Sequence, residues 1–107
     1  MIYNLKCTNM EMTDTVSAYV EKKFKKLTKY YQQITAMRVE VGMTTKHHHQ
    51  GNIFFAEANV NIPGTMFRAR HVDENLYTAI DVVENELKRE LTEEKEKRVR
   101  RRRTEVT

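Results

Sequence analysis

Along the chain, the spacing of apolar and polar positions changes period several times, and each change marks an element. Tyr3, Leu5 and Cys7 alternate with polar neighbours, which predicts a first strand over residues 1–8. Val16, Val20, Phe24, Leu27 and Tyr31 then recur at helical spacing. Thr13 is suited to cap that helix, with Asp14 in the first turn, where the helix dipole favours an acid. Period two returns over residues 34–44, with Met37, Val39, Val41 and Met43 facing one way and Arg38 and Glu40 the other. A polar loop over 45–51 leads to a third strand. Its apolar side is Phe54, Ala56, Ala58, Val60 and Ile62; its polar side is Glu57, Asn59 and Asn61.

Pro63-Gly64 is the clearest turn signal, because proline presets the first central position and glycine tolerates positive φ at the second. A two-residue loop there pairs Ile62 with Thr65, Val60 with Phe67, Ala58 with Ala69 and Glu57 with Arg70. The apolar faces then coincide, whereas a slip of one residue mismatches every face. Turn type argues the other way: two-residue hairpins prefer primed turns, and Pro-Gly suits type II. Leu76, Ile80, Val83, Leu87 and Leu91 form a last helical stripe, with Asp73 or Asn75 as its cap and acids leading bases along its length. Past Leu91 the same face carries Glu94, Lys95 and Arg98, so a continuing helix leaves the core there.

The order β-α-β-β-β-α predicts an α+β domain, a four-stranded sheet with two helices packed on one face. The 107 residues suffice for one core without disulfides. Residues 1–92 are expected to form that single domain and 93–107 a charged helical extension or tail. The tail has almost no apolar face to offset its ordering entropy.

Charge changes the picture. The balance of 19 basic to 15 acidic residues, +4 overall, conceals two local runs. Residues 22–29 read Lys-Lys-Phe-Lys-Lys-Leu-Thr-Lys, and residues 95–103 read Lys-Glu-Lys-Arg-Val-Arg-Arg-Arg-Arg. On the first helix Lys22, Lys25, Lys26 and Lys29 fall away from the apolar stripe. Lys23 sits at its edge, where its methylenes cover apolar surface. Bases on exposed helix faces suit a polyphosphate, since each neutralised phosphate releases counterions. A solvated helix face is the plain alternative for either run.

Other features narrow the field. Cys7 is the only cysteine, so there is no disulfide framework or thiolate metal cage, as fits a reducing cytosol. No window approaches a membrane span, and the first residues lack the apolar stretch of a signal peptide. There is no glycine-rich phosphate loop, no nucleophile–base motif and no carboxylate pair on a pocket-forming frame, so no enzyme emerges. No cofactor or small-molecule substrate is expected. His47, His48 and His49 are adjacent in a loop and lack ligand spacing, which favours an exposed hairpin loop over a metal site. His71 is expected as a partly buried structural residue and Asp81 as a hydrogen-bonding one. Tyr30 and Tyr77 have the chemistry to stack on bases, although Tyr77 lies beside the apolar stripe, where packing is the default. Arg38, Arg68 and Arg70 on the polar sheet face are read first as cross-strand partners of Glu40 and Glu57.

One run of residues carries a resemblance. Asn75-Leu76-Tyr77-Thr78-Ala79-Ile80-Asp81 is similar to the second-helix signature Asp-Met-Tyr-Ala-Ala-Ile-Asp of the bacterial ribosome hibernation promoting factor and ribosome-associated inhibitor family, once described as modulators of an alternative sigma factor. The first-helix pattern of that family resembles Lys23-Phe24, Lys26-Leu27, Tyr30-Tyr31 and Ile34. The hairpin turn before a strand carrying the small Ala69 fits as well. Residues 1 to about 98 are covered. The resemblance implies a fold like that of double-stranded RNA-binding domains, a cytoplasmic location and a monomer off the ribosome. It also implies binding of ribosomal RNA on the small ribosomal subunit, where family members block translation by filling the channel of messenger and transfer RNA.

By the same resemblance, Lys23, Lys26, Arg89, Lys95 and Lys97 stand where the family tends to be basic. The helical wheel adds Lys22, Lys25, Lys29 and Lys88, and the tail adds Arg98, Arg100 and Arg101 as candidate RNA contacts. Glu86, Glu93 and Glu94 depart from the family pattern and shift weight to the arginine tail. The family has short forms and long forms that pair two ribosomes through a further domain; the chain reads as a short form or the N-terminal part of a long one. Two alternatives stay open: a general structured-RNA-binding module, and a regulatory protein-interaction module acting on transcription machinery.

Overall fold

The computed structural model describes the backbone of residues 1–45 and 51–106, with side chains to Arg102. The expectation for His47–His49 lies outside the described residues. Seven elements follow in order: strand β1 (Ile2–Thr8), helix α1 (Asp14–Lys25), a 3-10 turn (Lys26–Lys29), strands β2 (Ala36–Met43), β3 (Phe54–Ile62) and β4 (Thr65–Asp73), and helix α2 (Leu76–Val106). The sheet has the order β1-β2-β3-β4. β1 runs parallel to β2, with α1 as the crossover, and the other two pairs are antiparallel. No helix among the described residues is long and apolar enough to cross a membrane.

The hairpin has the predicted register. Ile62 faces Thr65, Val60 faces Phe67, Ala58 faces Ala69 and Glu57 faces Arg70. Gly64 has φ +85°, the value demanded at the second central position of a type II turn, so the Pro-Gly chemistry prevails over the usual primed turn. Met37, Val39 and Val41 of β2 lie opposite Val60, Ala58 and Ala56 of β3, and these side chains form one buried floor. The two helices cover it with Val16, Val20 and Phe24 of α1, and with Leu76, Ala79, Ile80, Val83, Leu87 and Leu91 of α2.

Local chemistry sets the element ends. Thr13 Oγ1 accepts from the Val16 amide at 3.2 Å and caps α1. Asn75 Oδ1 accepts from the amides of Tyr77 and Thr78, while Asp73 Oδ1 accepts from the Asn75 amide, so both cap candidates act in series. The first turn of α2 itself carries no acid; Asp73, just ahead of it, supplies the negative charge. The backbone hydrogen bond from Asn75, aided by His71 at 3.1 Å, holds the Asp73 carboxyl below the usual carboxylate range.

The first helix ends earlier than its apolar stripe. Regular α geometry stops at Lys25, and a 3-10 turn carries Lys26–Lys29. The Leu27 carbonyl accepts from both Tyr30 and Tyr31, and Thr28 Oγ1 donates to the Lys25 carbonyl, so the tightened turn satisfies groups a continuing helix would have paired. Leu27 and Tyr31 remain buried. At the far end of the β1–β2 pair, Gly42 faces Thr8 with φ +156°; a Cβ there would sit 2.0 Å from the Thr8 carbonyl oxygen. Only glycine lets the two strands approach to that distance.

α2 is 31 residues long, about 46 Å at 1.5 Å per residue, and continues unbroken past Leu91, its last core residue among the described side chains.

Candidate nucleic-acid interface

The signature over residues 75–81 is largely structural. Asn75 caps α2, and Leu76, Ala79 and Ile80 are buried. Tyr77 packs its edge on Tyr19 of α1, with centroids 4.9 Å apart and planes at 89°. Asp81 accepts a 2.5 Å hydrogen bond from the Tyr19 hydroxyl and pairs with Lys23 Nζ at 3.2 Å. The Asp81 carboxylate raises the pKa of both partners, since it accepts from the Tyr19 hydroxyl and favours the charged Lys23. These four side chains clamp α1 to α2. Tyr77, 38% exposed, thus packs on Tyr19, and Asp81 acts as a hydrogen-bond acceptor.

The clamp divides the lysines of the first run. Lys23 is held against Asp81 and lies 5.7 Å from the Tyr19 ring centroid. Lys25 pairs with Glu21 one turn earlier on the same helix. Lys22, Lys26 and Lys29, at i, i+4 and i+7, are exposed and form no ion pair among the described residues. Lys88 reaches from α2 to lie 4.6 Å from the centroid of Tyr30, and both Lys88 and Lys26 act on the Glu84 carboxyl.

Glu84 was not singled out by its pattern, yet it is 6 % exposed between the helices. Its wheel position, within a turn of both Ile80 and Leu87, was the available signal. Burial pushes its carboxyl pKa up; Lys23 and Lys88 nearby offset part of that rise.

The second basic run does not form one face. Arg89 is exposed and lies about half a turn from the buried stripe, by the 3.6-residue period. Lys95, Lys97, Arg100 and Arg101 are exposed along the part of α2 that has left the core. Arg98 differs: Nη2 donates to the Pro63 carbonyl at 2.7 Å, Nε donates to Glu94 at 3.2 Å, and the guanidinium lies over the Tyr31 ring at 5.6 Å. It ties the helix extension to the β3–β4 turn and to the end of the 3-10 turn. Beside it is a cleft of about 260 Å³ lined by Tyr31, Gln32, Gln33, Lys95, Arg98, Val99 and Arg102. Gln32, Gln33 and Arg102 were not among the expected contacts. The spacing of Lys95, Arg98 and Arg102, which places them on one side of a helix, was the signal for the last.

The open sheet face is mostly self-paired. Glu57 binds both Arg68 and Arg70, and Arg70 also covers the Phe55 ring at 4.6 Å. Glu40, between Lys6 of β1 and Glu57 of β3, accepts from Thr8 Oγ1 at 2.6 Å and pairs with no arginine among the described residues. Arg38 has no ion pair among the described residues. No group of three His, Cys, Asp or Glu among the described residues could hold a metal ion.

Residues 3–99 match the family described as "Sigma 54 modulation protein / S30EA ribosomal protein". The chain is 36% identical over 90 residues to a ribosome hibernation promotion factor of Picosynechococcus sp., covering 83% of this chain and 46% of that one. It is 32% identical over 101 residues to a ribosome hibernation promoting factor of Azotobacter vinelandii, covering 94% and 89%. The chain therefore spans about half the length of the first relative and most of the second. Among solved structures, the N-terminal domain of Protein Y from Thermus thermophilus superposes with a TM-score of 0.73 at 30% identity, covering 86% of this chain and 96% of that domain. A ribosomal subunit interface protein from Coxiella burnetii gives a TM-score of 0.75 at 17% identity, covering 89% and 98%, and shares the fold.

Proposed function

The chain belongs to the sigma 54 modulation protein / S30EA ribosomal protein family, and on that premise we propose that it is a ribosome hibernation factor that binds the small ribosomal subunit and fills the channel of messenger and transfer RNA. The family is non-enzymatic, so occupancy alone is the mechanism. The reading takes residues 1–92 as the ribosome-binding domain, 93–107 as a basic arm, the cytoplasm as the location and a monomer as the free state.

The observation that carries it is the exposed row Lys22, Lys26 and Lys29, continued across the helix pair by Lys88. Lys22, Lys26 and Lys29 form no ion pair among the described residues, so they give up little on meeting a phosphate and releasing its counterions, although Lys26 and Lys88 also act on the Glu84 carboxyl. Ribosomal RNA suits such a row, because structured RNA is recognised through phosphates, shape and 2′-hydroxyls. Lys23 and Lys25, already paired, contribute less.

The test is sedimentation of ribosomes with the purified chain at several salt concentrations. Comigration with the small subunit is expected, lost as salt rises. Three phosphate contacts contribute roughly −2 to −3 to the log–log slope of affinity on salt. The triple variant K22E/K26E/K29E, folded because no core residue changes, should lose both comigration and inhibition of cell-free translation. A folded triple variant that still inhibits translation would refute the proposed surface. An unmutated chain that never comigrates would favour the regulatory module of transcription that the family description also carries.

A further inference from the structure

We propose that the cleft between the Tyr31–Gln33 connection and the α2 extension holds one unpaired base of single-stranded RNA, stacked on the Arg98 guanidinium. The proposal rests on the RNA-binding reading above and names a ligand for a part of the surface to which that reading assigns charge alone.

Arg98 carries the argument. Its hydrogen bonds to Pro63 and Glu94 run through Nη2 and Nε. Guanidinium N–H bonds lie in the plane of the group, so these contacts consume its edge and leave both faces. The guanidinium carbon lies 5.6 Å from the centroid of the buried Tyr31 ring. Arg98 also lines the cleft, and 28% of its side chain is exposed, which leaves surface for a flat partner. Planar guanidinium groups stack on bases, and one held at two edge positions gives up little rotamer entropy in doing so.

The remaining walls supply what a nucleotide needs besides a stacking surface. The exposed Gln32 and Gln33 amides carry both donors and acceptors for a base edge. Lys95 and Arg102 flank the opening with positive charge for the adjoining phosphates. Val99, 40% exposed, offers an apolar patch that a base would cover. The cleft, about 260 Å³, has room for one base. A duplex cannot enter it, because its bases are already stacked and paired.

The experiment is an amide NMR titration of the full chain with hexa-adenylate RNA, and with an abasic hexamer of the same backbone charge. The expected result is that hexa-adenylate binds at least about fivefold tighter than the abasic strand. Its largest shifts should fall at Gln32, Gln33 and Val99. The exposed variant Q32A/Q33A should lose most of that difference while keeping its affinity for the abasic strand. Equal affinity for the two strands, or shifts confined to the α1 lysines, would overturn the proposal. Ribosome sedimentation of the unmutated chain separates the two readings: comigration with no base preference in the titration refutes the cleft alone, and loss of comigration refutes the function on which it rests.

Discussion

Replacing Arg98 with alanine tests whether the α2 extension is part of the folded unit or an independent arm. Three interactions are lost together. The guanidinium hydrogen bond to the Pro63 carbonyl is a charged-group bond, of order 1.5–3 kcal/mol in general. The i,i+4 pair with Glu94 adds about 0.3–0.5 kcal/mol and the contact with Tyr31 about 0.5–1 kcal/mol. Pro63 is exposed, so water replaces the lost donor and the lower ends apply. The expected loss is about 2 kcal/mol, or roughly 8 °C in Tm for a domain of this size. Urea titration measures it, and hydrogen exchange locates it: amides of residues 94–101 should exchange faster, while those around Val83 and Leu87 fall only with global stability. Arg98→Lys should recover less than half, because an ammonium cannot reach the carbonyl, the carboxylate and the ring at once. A loss below about 0.5 kcal/mol with unchanged exchange would refute the latch.

Further outcomes follow from particular contacts. Gly42→Ala should cost at least about 3 kcal/mol or abolish folding, because the new Cβ meets the Thr8 carbonyl oxygen at 2.0 Å; thermal melting within a degree or two of the parent would contradict this. Glu84→Gln should raise Tm at pH 7. A carboxyl whose folded pKa is raised stabilises the fold when protonated and loses that contribution as pH rises through the folded value, so the gain should fade as pH falls toward the ordinary glutamate range. A gain that persists undiminished at low pH would point to a cause other than titration. Arg100, Arg101 and Arg102, the described side chains at this end, are exposed, so deleting residues 100–107 should leave Tm nearly unchanged while ribosome comigration weakens at moderate salt; a large fall in Tm would mean that this end packs onto the domain.

Most of the architecture could be read from local order. Alternation in β3 and β4, joined by Pro63-Gly64, admits one register, because side chains repeat every two residues and a slip buries the polar set. The stripe from Leu76 to Leu91 is likewise unambiguous, since five large apolar residues at helical spacing have one way to be buried. The candidate surface was legible only as a set of bases. Of Lys22, Lys23, Lys25, Lys26 and Lys29, only Lys25 carries a local sign of pairing, Glu21 one turn earlier; nothing local says that Lys23 meets Asp81.

Sequence order thus decides what depends on neighbours within a few residues: strand and helix periods, caps at Thr13 and Asn75, and the hairpin register. Tertiary structure decides what depends on residues distant in the chain. It places β1 parallel beside β2, where the approach to Thr8 makes Gly42 necessary. It brings Asp81 to Lys23 and so separates that lysine from Lys22, Lys26 and Lys29. It sets Arg98 against Pro63, 35 residues away, turning an apparent tail residue into a latch. Each of these is a contact between charged or backbone groups whose strength depends on distance and burial, and neither quantity exists until the chain has folded.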